Sequence, residues 1–568
     1  MNLAKMGLGA LNAAQYKLKT AAHNVNNAAV EGYNRQTVLT QTAGAQAMGG
    51  GYVGRGVEVV TISRSYDSFL FKQLVGALGQ GAALTSYANE INQLDTLFAD
   101  RTVGVSPAIE NFFASVNAVA SSPNDPAARE EMLGQANNLA TQMRETHAYL
   151  DRQRTNINAQ IGTVVDQINS YVQRIHDANN QIVKARASAM QHEPNDLLDQ
   201  RDQLLKELNE LVGVTVFEQD GKFSLAIGNG HLVLGGDTVF PLQSQPSAAD
   251  PQRMVVGLVV QQGGDGGNRS IEINESNIRG GKLGGLIQYR QEILDDVQDN
   301  LGRLAVGLAS AFNEVHGRGT DLHGNVGTDL FSVEGPRVIP ATASTSNDSA
   351  VQASITNAAE LTADNYVVTP RFDADDNFLG YTVTNLTTNY PTDVNPPAAP
   401  DTVARVTVDG VDFSFDFFLP NPAPTDFWTV LPTRNAALGL EVEITDPAKI
   451  AAAASGTGES NGDIALEMAQ LQSKATLGGS AGSGPTMSLT EAFSQIVNRI
   501  GVMSQQNKTA GKAQESLIQQ TFAAQQQVSG VNLNEEYMKI EEALEQYRAA
   551  SRLVDVSGIM FDTLLNMR

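Results

Sequence analysis

The chain has 568 residues, with 38 Lys and Arg against 62 Asp and Glu, a formal net charge of -24, and no cysteine. That length exceeds what one hydrophobic core supports, so several domains are expected, and the negative charge argues against nucleic-acid or anionic-membrane binding. The missing thiols exclude disulfides, thiolate zinc, cysteine-held iron–sulfur clusters and a thiol nucleophile.

Only 18% of residues are charged, against about 25% in typical domains, so Asn, Gln, Ser, Thr and Gly fill many polar positions. The first twenty residues break their apolar positions with Asn, Gln and Lys, leaving no signal-peptide core, and no later stretch reads as a membrane span. Ala4, Leu8, Leu11, Leu18, Ala22 and Val25 recur at three- and four-residue steps and predict an amphipathic N-terminal helix, ended or interrupted at Gly32. A glycine cluster, Gly49 to Gly56, precedes an alternating run from Val57 to Ile62 that reads as a strand or hairpin arm. Helical patterning returns from Ser63 to about Ala99. Ser106-Pro107 and Asp125-Pro126 are helix starts, the second opening a helix to about Ala189. Its stripe of Leu150, Ile157, Ile161, Val164, Ile168, Tyr171, Ile175, Ala178 and Ile182 has the rhythm of a coiled-coil seam.

Pro194 to Val212 predicts a further helix with Gly213 as its C-cap. The period then changes to two. Asp220-Gly221 and Asn229-Gly230 separate alternating strands, as Asp409-Gly410 does later between Val406/Val408 and Val411/Phe413/Phe415. Residues 283–316 are expected to be helical, Tyr390 to Pro400 a structureless loop, and Ser488 with Glu491 a capping box opening a long helix. The last segment carries Tyr537, Ile540, Leu544, Tyr547, Ser551, Val554, Gly558, Phe561 and Leu565 three and four apart. The fold class expected is α+β multidomain: a long helical coiled-coil or bundle base built from both termini, with β-rich outer domains. The domains expected are 1–42 with 530–568 for polymerisation, 43–335 with 447–529 as a helical rod bearing β-hairpins at about 213–280, and 336–446 as a β-rich outer domain.

Candidate chemistry is sparse. Gly49, Gly51 and Gly54 match G-x-G-x-x-G, but a strand-like run follows them where a helix is needed, so they read as a flexible loop. Asp373, Asp375 and Asn377 have the opening spacing of a calcium loop, yet Phe378 replaces the required glycine and Thr384 the closing glutamate, leaving a solvated turn. His316, Asp321 and His323 follow a helix end, where histidine is favoured by the dipole without any ligand. Asp295-Asp296 and Glu535-Glu536 read as solvated helix faces. No catalytic, cofactor-binding or metal-ligating residue is assigned and no enzyme activity is expected; the terminal stripes instead call for partner helices.

Ala21 to Gln36 (AAHNVNNAAVEGYNRQ) resembles the N-terminal signature of bacterial flagellar axial proteins. The stretch from Gly530, with VNLNEE, QYRAAS and FDTLL, resembles their C-terminal one. Gly56 to Leu74, Pro194 to Val212 and Ala309 to Phe331 are similar to stretches of the hook-associated members of that family. The resemblance covers roughly the first 335 and last 110 residues; 336–446 carries no familiar motif.

The resemblance implies a structural subunit at the distal end of the hook that joins hook to filament. It also implies export through the flagellar type III apparatus without a cleaved signal peptide, and an extracellular location. The implied partners are other copies in a ring-like polymer, the hook protein, a second junction protein and a cytosolic chaperone on the C-terminal helix, with no nucleic acid, membrane or cofactor. Leu8, Leu11, Leu18 and Val25 are expected to pair with Tyr537, Ile540, Leu544, Tyr547, Val554, Phe561 and Leu565. Asn24, Asn27, Gly32 and Tyr33 are expected to set the turn and register, and the terminal helices to order on assembly. A reading from another class is a secreted binding protein or adhesin that uses the 336–446 domain, with Trp428, Phe427, Phe417 and Phe418 as an apolar patch.

Overall fold

The computed structural model describes residues 2–98, 104–188, 192–219, 221–260, 269–341, 350–398, 400–419, 422–480 and 482–566. Asp220 of the first predicted turn, Ala99 and Ala189 lie outside them. Helix α1 (Asn2–Asn27) leads into a ribbon in which β1 (Gln36–Thr42) pairs antiparallel with β4 (Val57–Arg64). Between them β2 (Ala45–Met48) and β3 (Gly51–Gly54) form a second hairpin, so the glycine cluster supplies a turn and a strand instead of a flexible loop.

The helical body follows: α2 (Ser68–Phe98), α3 (Val105–Ser121), α4 (Pro126–Ser188) and α5 (Asn195–Leu211). The predicted apolar stripe of α4 is buried, with Tyr171 partly so, but it packs against α3, α5 and strands instead of one long partner helix. This corrects the expected coiled-coil seam. Gly213 is not a left-handed cap either; the chain is already extended at Val212, and an added Cβ on Gly213 would lie 2.3 Å from the Arg279 carbonyl oxygen.

Strands β5 (Val214–Gln219), β6 (Lys222–Ile227), β7 (His231–Gly235) and β8 (Thr238–Val239) form a meander. Strands β9 (Leu242–Pro246), β10 (Met254–Val260) and β11 (Arg269–Glu272) form a three-stranded sheet. Both sheets are tied to α4 by asparagines one face apart. Asn158, Asn169 and Asn179 each donate to a backbone carbonyl and accept from a backbone N–H, at Gln252/Met254, Leu242 and Phe223 respectively.

Helices α6 (Gly281–Tyr289) and α7 (Asp295–His316), joined by one π-helical turn, return to the body. The short strands β12 (Gly319–Thr320) and β13 (Phe331–Ser332) lead out of it. Then come β14 (Arg337–Pro340), β15 (Val351–Ile355), β16 (Tyr366–Phe372), β17 (Phe378–Asn385), β18 (Pro391–Val394), β19 (Val403–Val408), β20 (Val411–Asp416) and β21 (Trp428–Leu431). These make two antiparallel sheets, ordered β14-β21-β16-β17-β18 and β15-β20-β19, around Trp428, Tyr366, Tyr381, Phe413 and Phe415. The expected loop at Tyr390 to Pro400 thus contains β18, an edge strand that tolerates Pro391 at its first position. Trp428 is core while Phe418 is exposed, so the four aromatics form no single patch.

The chain returns through β22 (Glu441–Val442), which pairs with β13, and β23 (Ala453–Ala454), which pairs with β12. Helix α8 (Asp463–Gln470) and the capping box at Ser488 and Glu491 follow, then α9 (Leu489–Ser529) antiparallel to α2, and finally α10 (Leu533–Leu565). Arg434 ties the β domain to α7: its guanidinium donates to both Asp299 carboxylate oxygens, and the Thr433 hydroxyl donates to the Asp299 carbonyl at 2.9 Å. Asp295 is buried among Arg154 at 2.8 Å, Arg253 at 2.7 Å and Arg434, and so corrects the expected solvated face. Burial alone would raise the pKa of the Asp295 carboxyl, but these guanidiniums outweigh it and hold it well below the usual range.

Candidate functional site

The two terminal signatures meet where α1 ends, α10 begins and α5 presents its acidic N-terminal turns. Asn24, fully buried on α1, uses its whole side chain there. Its amide donates to the Gln36 carbonyl at 2.9 Å and to Glu536 Oε2 at 2.8 Å, and its Oδ1 accepts from the Tyr33 hydroxyl at 2.7 Å and the Gln36 N–H at 2.9 Å. One asparagine thereby joins the helix, the turn after it and the opposite end of the chain. Glu536 is buried and also accepts from Lys539, so this member of the Glu535-Glu536 pair is not a solvated face.

The rest of the N-terminal motif extends the junction. Tyr33, half-buried beside Asp196, Asp199 and Glu536, is pushed above its ordinary pKa by burial and by those carboxylates, and stays a phenol donor. The Asn34 backbone and side-chain amides both donate to Asp199, at 2.9 and 2.7 Å. Arg35 donates to both Glu535 carboxylate oxygens at 3.2 Å, and its N–H reaches the Ser529 carbonyl at 2.8 Å. Gln36 donates to Asp196 at 2.7 Å. Arg64, at the end of β4, bridges Asp199 and Asp202 at 2.8 and 2.6 Å; burial opposes its charge, yet the two carboxylates raise its pKa.

Asn27 donates back to the His23 carbonyl at 3.0 Å. Gly32 has φ +81°, a left-handed turn closed against Gln203, whose side chain an added Cβ would meet at 2.9 Å. Beside it a cleft of about 580 Å3 runs between the turn and α4–α5, lined in part by Tyr33, Arg174, Asp177, Gln203 and Glu207. Asn34, Gln36, Asp199 and Glu536 were missed from the sequence. Their polar identity is ordinary, and only the placement of Asn24 against both termini makes them a unit.

Helices α1 and α10 pair antiparallel, with Gly7 facing Val554 and Asn24 facing Glu536. Away from the Asn24–Glu536 junction the residues buried in this pair are small: Gly7, Ala14 and Ala21 recur every seven positions on α1, and Ala543 and Ala550 lie seven apart on α10. An added Cβ on Gly7 would stand 2.8 Å from Val554 Cγ2. Of the large residues expected in the pairing, Val554 lies against Gly7. Leu11, Leu18, Val25, Ile540, Tyr547 and Val554 are only half-buried, while Leu8, Tyr537, Leu544, Phe561 and Leu565 are exposed. The helices approach on their small faces and turn their bulk outward.

The motifs weighed for metal binding have internal uses. His316 is buried: Nδ1 lies 2.6 Å from the Thr328 carbonyl and Nε2 accepts from the Ala451 N–H at 2.8 Å. Asp321 Oδ1 accepts the N–H groups of His323 and Asn325, and Asp373 Oδ1 those of Asp375 and Asn377. Among the described residues no group of three or more His, Asp or Glu is arranged to hold a metal ion, and no helix is long and apolar enough to cross a membrane.

Residues 91–331 match the family model described as the flagellar hook-associated protein FlgK helical domain. The chain is 35% identical over 570 residues to flagellar hook-associated protein 1 of Escherichia coli (strain K12), and 33% identical over 575 residues to that of Salmonella typhimurium, with both chains covered completely in each case. Flagellar hook-associated protein 1 of Bacillus subtilis is 24% identical over 363 residues, covering 58% of this chain and 70% of that one. The solved structure of the flagellar hook junction protein FlgK from Burkholderia pseudomallei is similar at a TM-score of 0.71 and 25% identity, covering 80% of this chain and all of that one.

Proposed function

The chain belongs to the flagellar hook-associated protein 1 family, and from that premise we propose how its two ends perform the structural work of a hook–filament junction. The observation that carries the reading is the α1–α10 pair, closed by Asn24 and Glu536 at one end and sealed by glycine and alanine along its length. A small-residue seam brings two backbones close while leaving the large apolar side chains facing outward. Leu8, Tyr537, Leu544, Phe561 and Leu565 then form contacts between copies, with Leu11, Leu18, Val25, Ile540, Tyr547 and Val554 at the margin of the pair. Asn24, Asn27, Gly32 and Tyr33 fix the angle at which the pair leaves the body.

In this reading residues 1–42 with 530–568 are the polymerisation unit. Residues 43–335 with 447–529 are the rod that sets its distance from the β domain of 336–446, which faces outward. The role is architectural and not enzymatic, and the location is the extracellular flagellum, reached through the flagellar type III export route. The hook protein, a second junction protein and a cytosolic chaperone covering the apolar end of α10 are the partners this role requires.

The test is truncation of residues 1–30 or of 535–568. Each truncated chain is expected to remain soluble and to keep the melting transition of its body, yet to be missing from isolated hooks. Incorporation of either truncated chain at wild-type levels would overturn the role given to the pair.

A further inference from the structure

Two features at one end of the molecule lie uncovered. The first is the β2–β3 hairpin, an arm from Ala43 to Gly56 rooted where the Ala43 N–H donates to the Gly56 carbonyl and the Arg55 N–H to the Gly44 carbonyl, each at 2.9 Å. Beyond the root it stands free: added Cβ atoms on Gly44, Gly49, Gly50, Gly51 and Gly54 would meet nothing within 4 Å, and Tyr52 is 82% exposed. A lone two-stranded hairpin is marginal in water, so an arm carrying an exposed Tyr52 and Val53 calls for a surface to lie on. Its root sits against the first turns of α1, with Gly56 beside Met6 and Gly9 against the Val57 carbonyl.

The second feature is the end of α10. Gly7 lies opposite Ala550 and Val554 in an antiparallel pair, so the described part of α1, from Asn2, lies beside α10 as far as about Ile559. Ile559, Met560, Phe561, Leu564 and Leu565 are all exposed there, apolar around most of the helix circumference. The arm's one charged residue is Arg55 and that of Ile559–Leu565 is Asp562, so the two surfaces are apolar with opposite single charges, in a chain of net charge -24.

We propose that the arm of one copy lies on the α10 overhang of a second copy of this chain, with Tyr52 and Val53 covering Ile559, Phe561 and neighbouring residues. The inference rests on the reading of the chain as a polymer subunit. It adds a strand-to-helix contact between subunits beside the helix pairing itself. Each copy leaves its own arm and overhang uncovered, and side-by-side copies satisfy both.

The absence of native cysteine supplies the test. The double variant Tyr52→Cys, Ile559→Cys, replacing the native chain in a motile strain, is oxidised in isolated flagella and run under non-reducing conditions. Disulfide-linked dimers and longer ladders are expected, absent from either single variant. An intrachain loop only, or no disulfide in flagella that assemble normally, would overturn the proposal while leaving the polymer reading intact. Should the double variant not assemble, the arm is shortened by replacing residues 45–54 with two glycines. Unchanged circular dichroism and melting of the monomer, with at least a tenfold loss of chain from isolated junctions, are expected; normal retention would overturn the contact. Loss of the unaltered chain from junctions would instead overturn the underlying reading.

Discussion

Asn24 shows why a polar residue on an apolar helix is placed and not merely tolerated. Its two donors and its acceptor oxygen are all used, across three segments of the chain. Asn24→Ala leaves the Tyr33 hydroxyl, the Gln36 N–H and Glu536 short of a partner, a cost of about 2–4 kcal/mol at buried sites. The loss should appear as faster hydrogen exchange over residues 20–36 and 533–545, with the β domain unaffected; unchanged exchange there would show that the asparagine does not join the termini. His316 and His147 act in the body. Both are buried, and burial lowers their pKa from the ordinary 6.5. As pH falls below about 6.5 the unfolded chain binds protons that the folded chain refuses, so stability is full above that value and declines below it. Denaturant midpoints between pH 7.5 and 5 should therefore fall with pH, and less steeply for His316→Gln, which starts from a lower midpoint; parallel slopes would exclude His316 as a contributor.

Elements differed in how far the sequence revealed them. The stripe of α4 was legible because large aliphatics at three- and four-residue steps are buried wherever the partner lies. The β19–β20 hairpin was legible because Asp409-Gly410 suits a turn with two positive φ angles, which both residues adopt. The seam between α1 and α10 was not legible, since hydrophobic patterning weights Leu8 and Leu544 above Gly7 and Ala543, whereas close approach selects the smaller residues. Nor were the asparagine clamps at Asn158, Asn169 and Asn179: an amide that mimics a peptide group looks like a surface residue until a strand edge is placed beside it. The amide-rich composition thus has an internal use, extended by Asn507 and Gln514 of α9, which donate to α2 carbonyls at 3.0 and 2.7 Å. At this scale the seam predicts that Gly7→Leu forces α1 away from Val554. Junction incorporation should fall at least tenfold while the main melting transition moves by less than about 2 °C, as expected for an element with little share in the core. A large drop in the main transition would mean that the pair belongs to the folding unit of the body.

The whole molecule combines a rigid centre with thinly held ends. The body has a continuous core from α2 to α9, and the β domain is bound to it through the buried ion pairs of Arg434, Asp299 and Asp295. The Asp295 network left no trace in the sequence, because an Asp-Asp pair on a helix reads as solvated until arginines from α4, the β9–β10 turn and the β domain converge on it. The terminal pair, by contrast, is held by a few methyl-sized groups, worth about 0.8 kcal/mol each when buried, by the polar junction at Asn24 and by the Lys17 ammonium, which donates to Gln546 at 3.2 Å. Such a pair is poised to be completed by its neighbours. The most direct measurement is hydrogen exchange followed by mass spectrometry on the monomer and on isolated flagella containing the chain. The account predicts that peptides from residues 2–27 and 533–565 exchange rapidly in the monomer and slowly in the assembly, while those from α4 and α7 are equally protected in both. Equal protection of the terminal helices in monomer and assembly would contradict it.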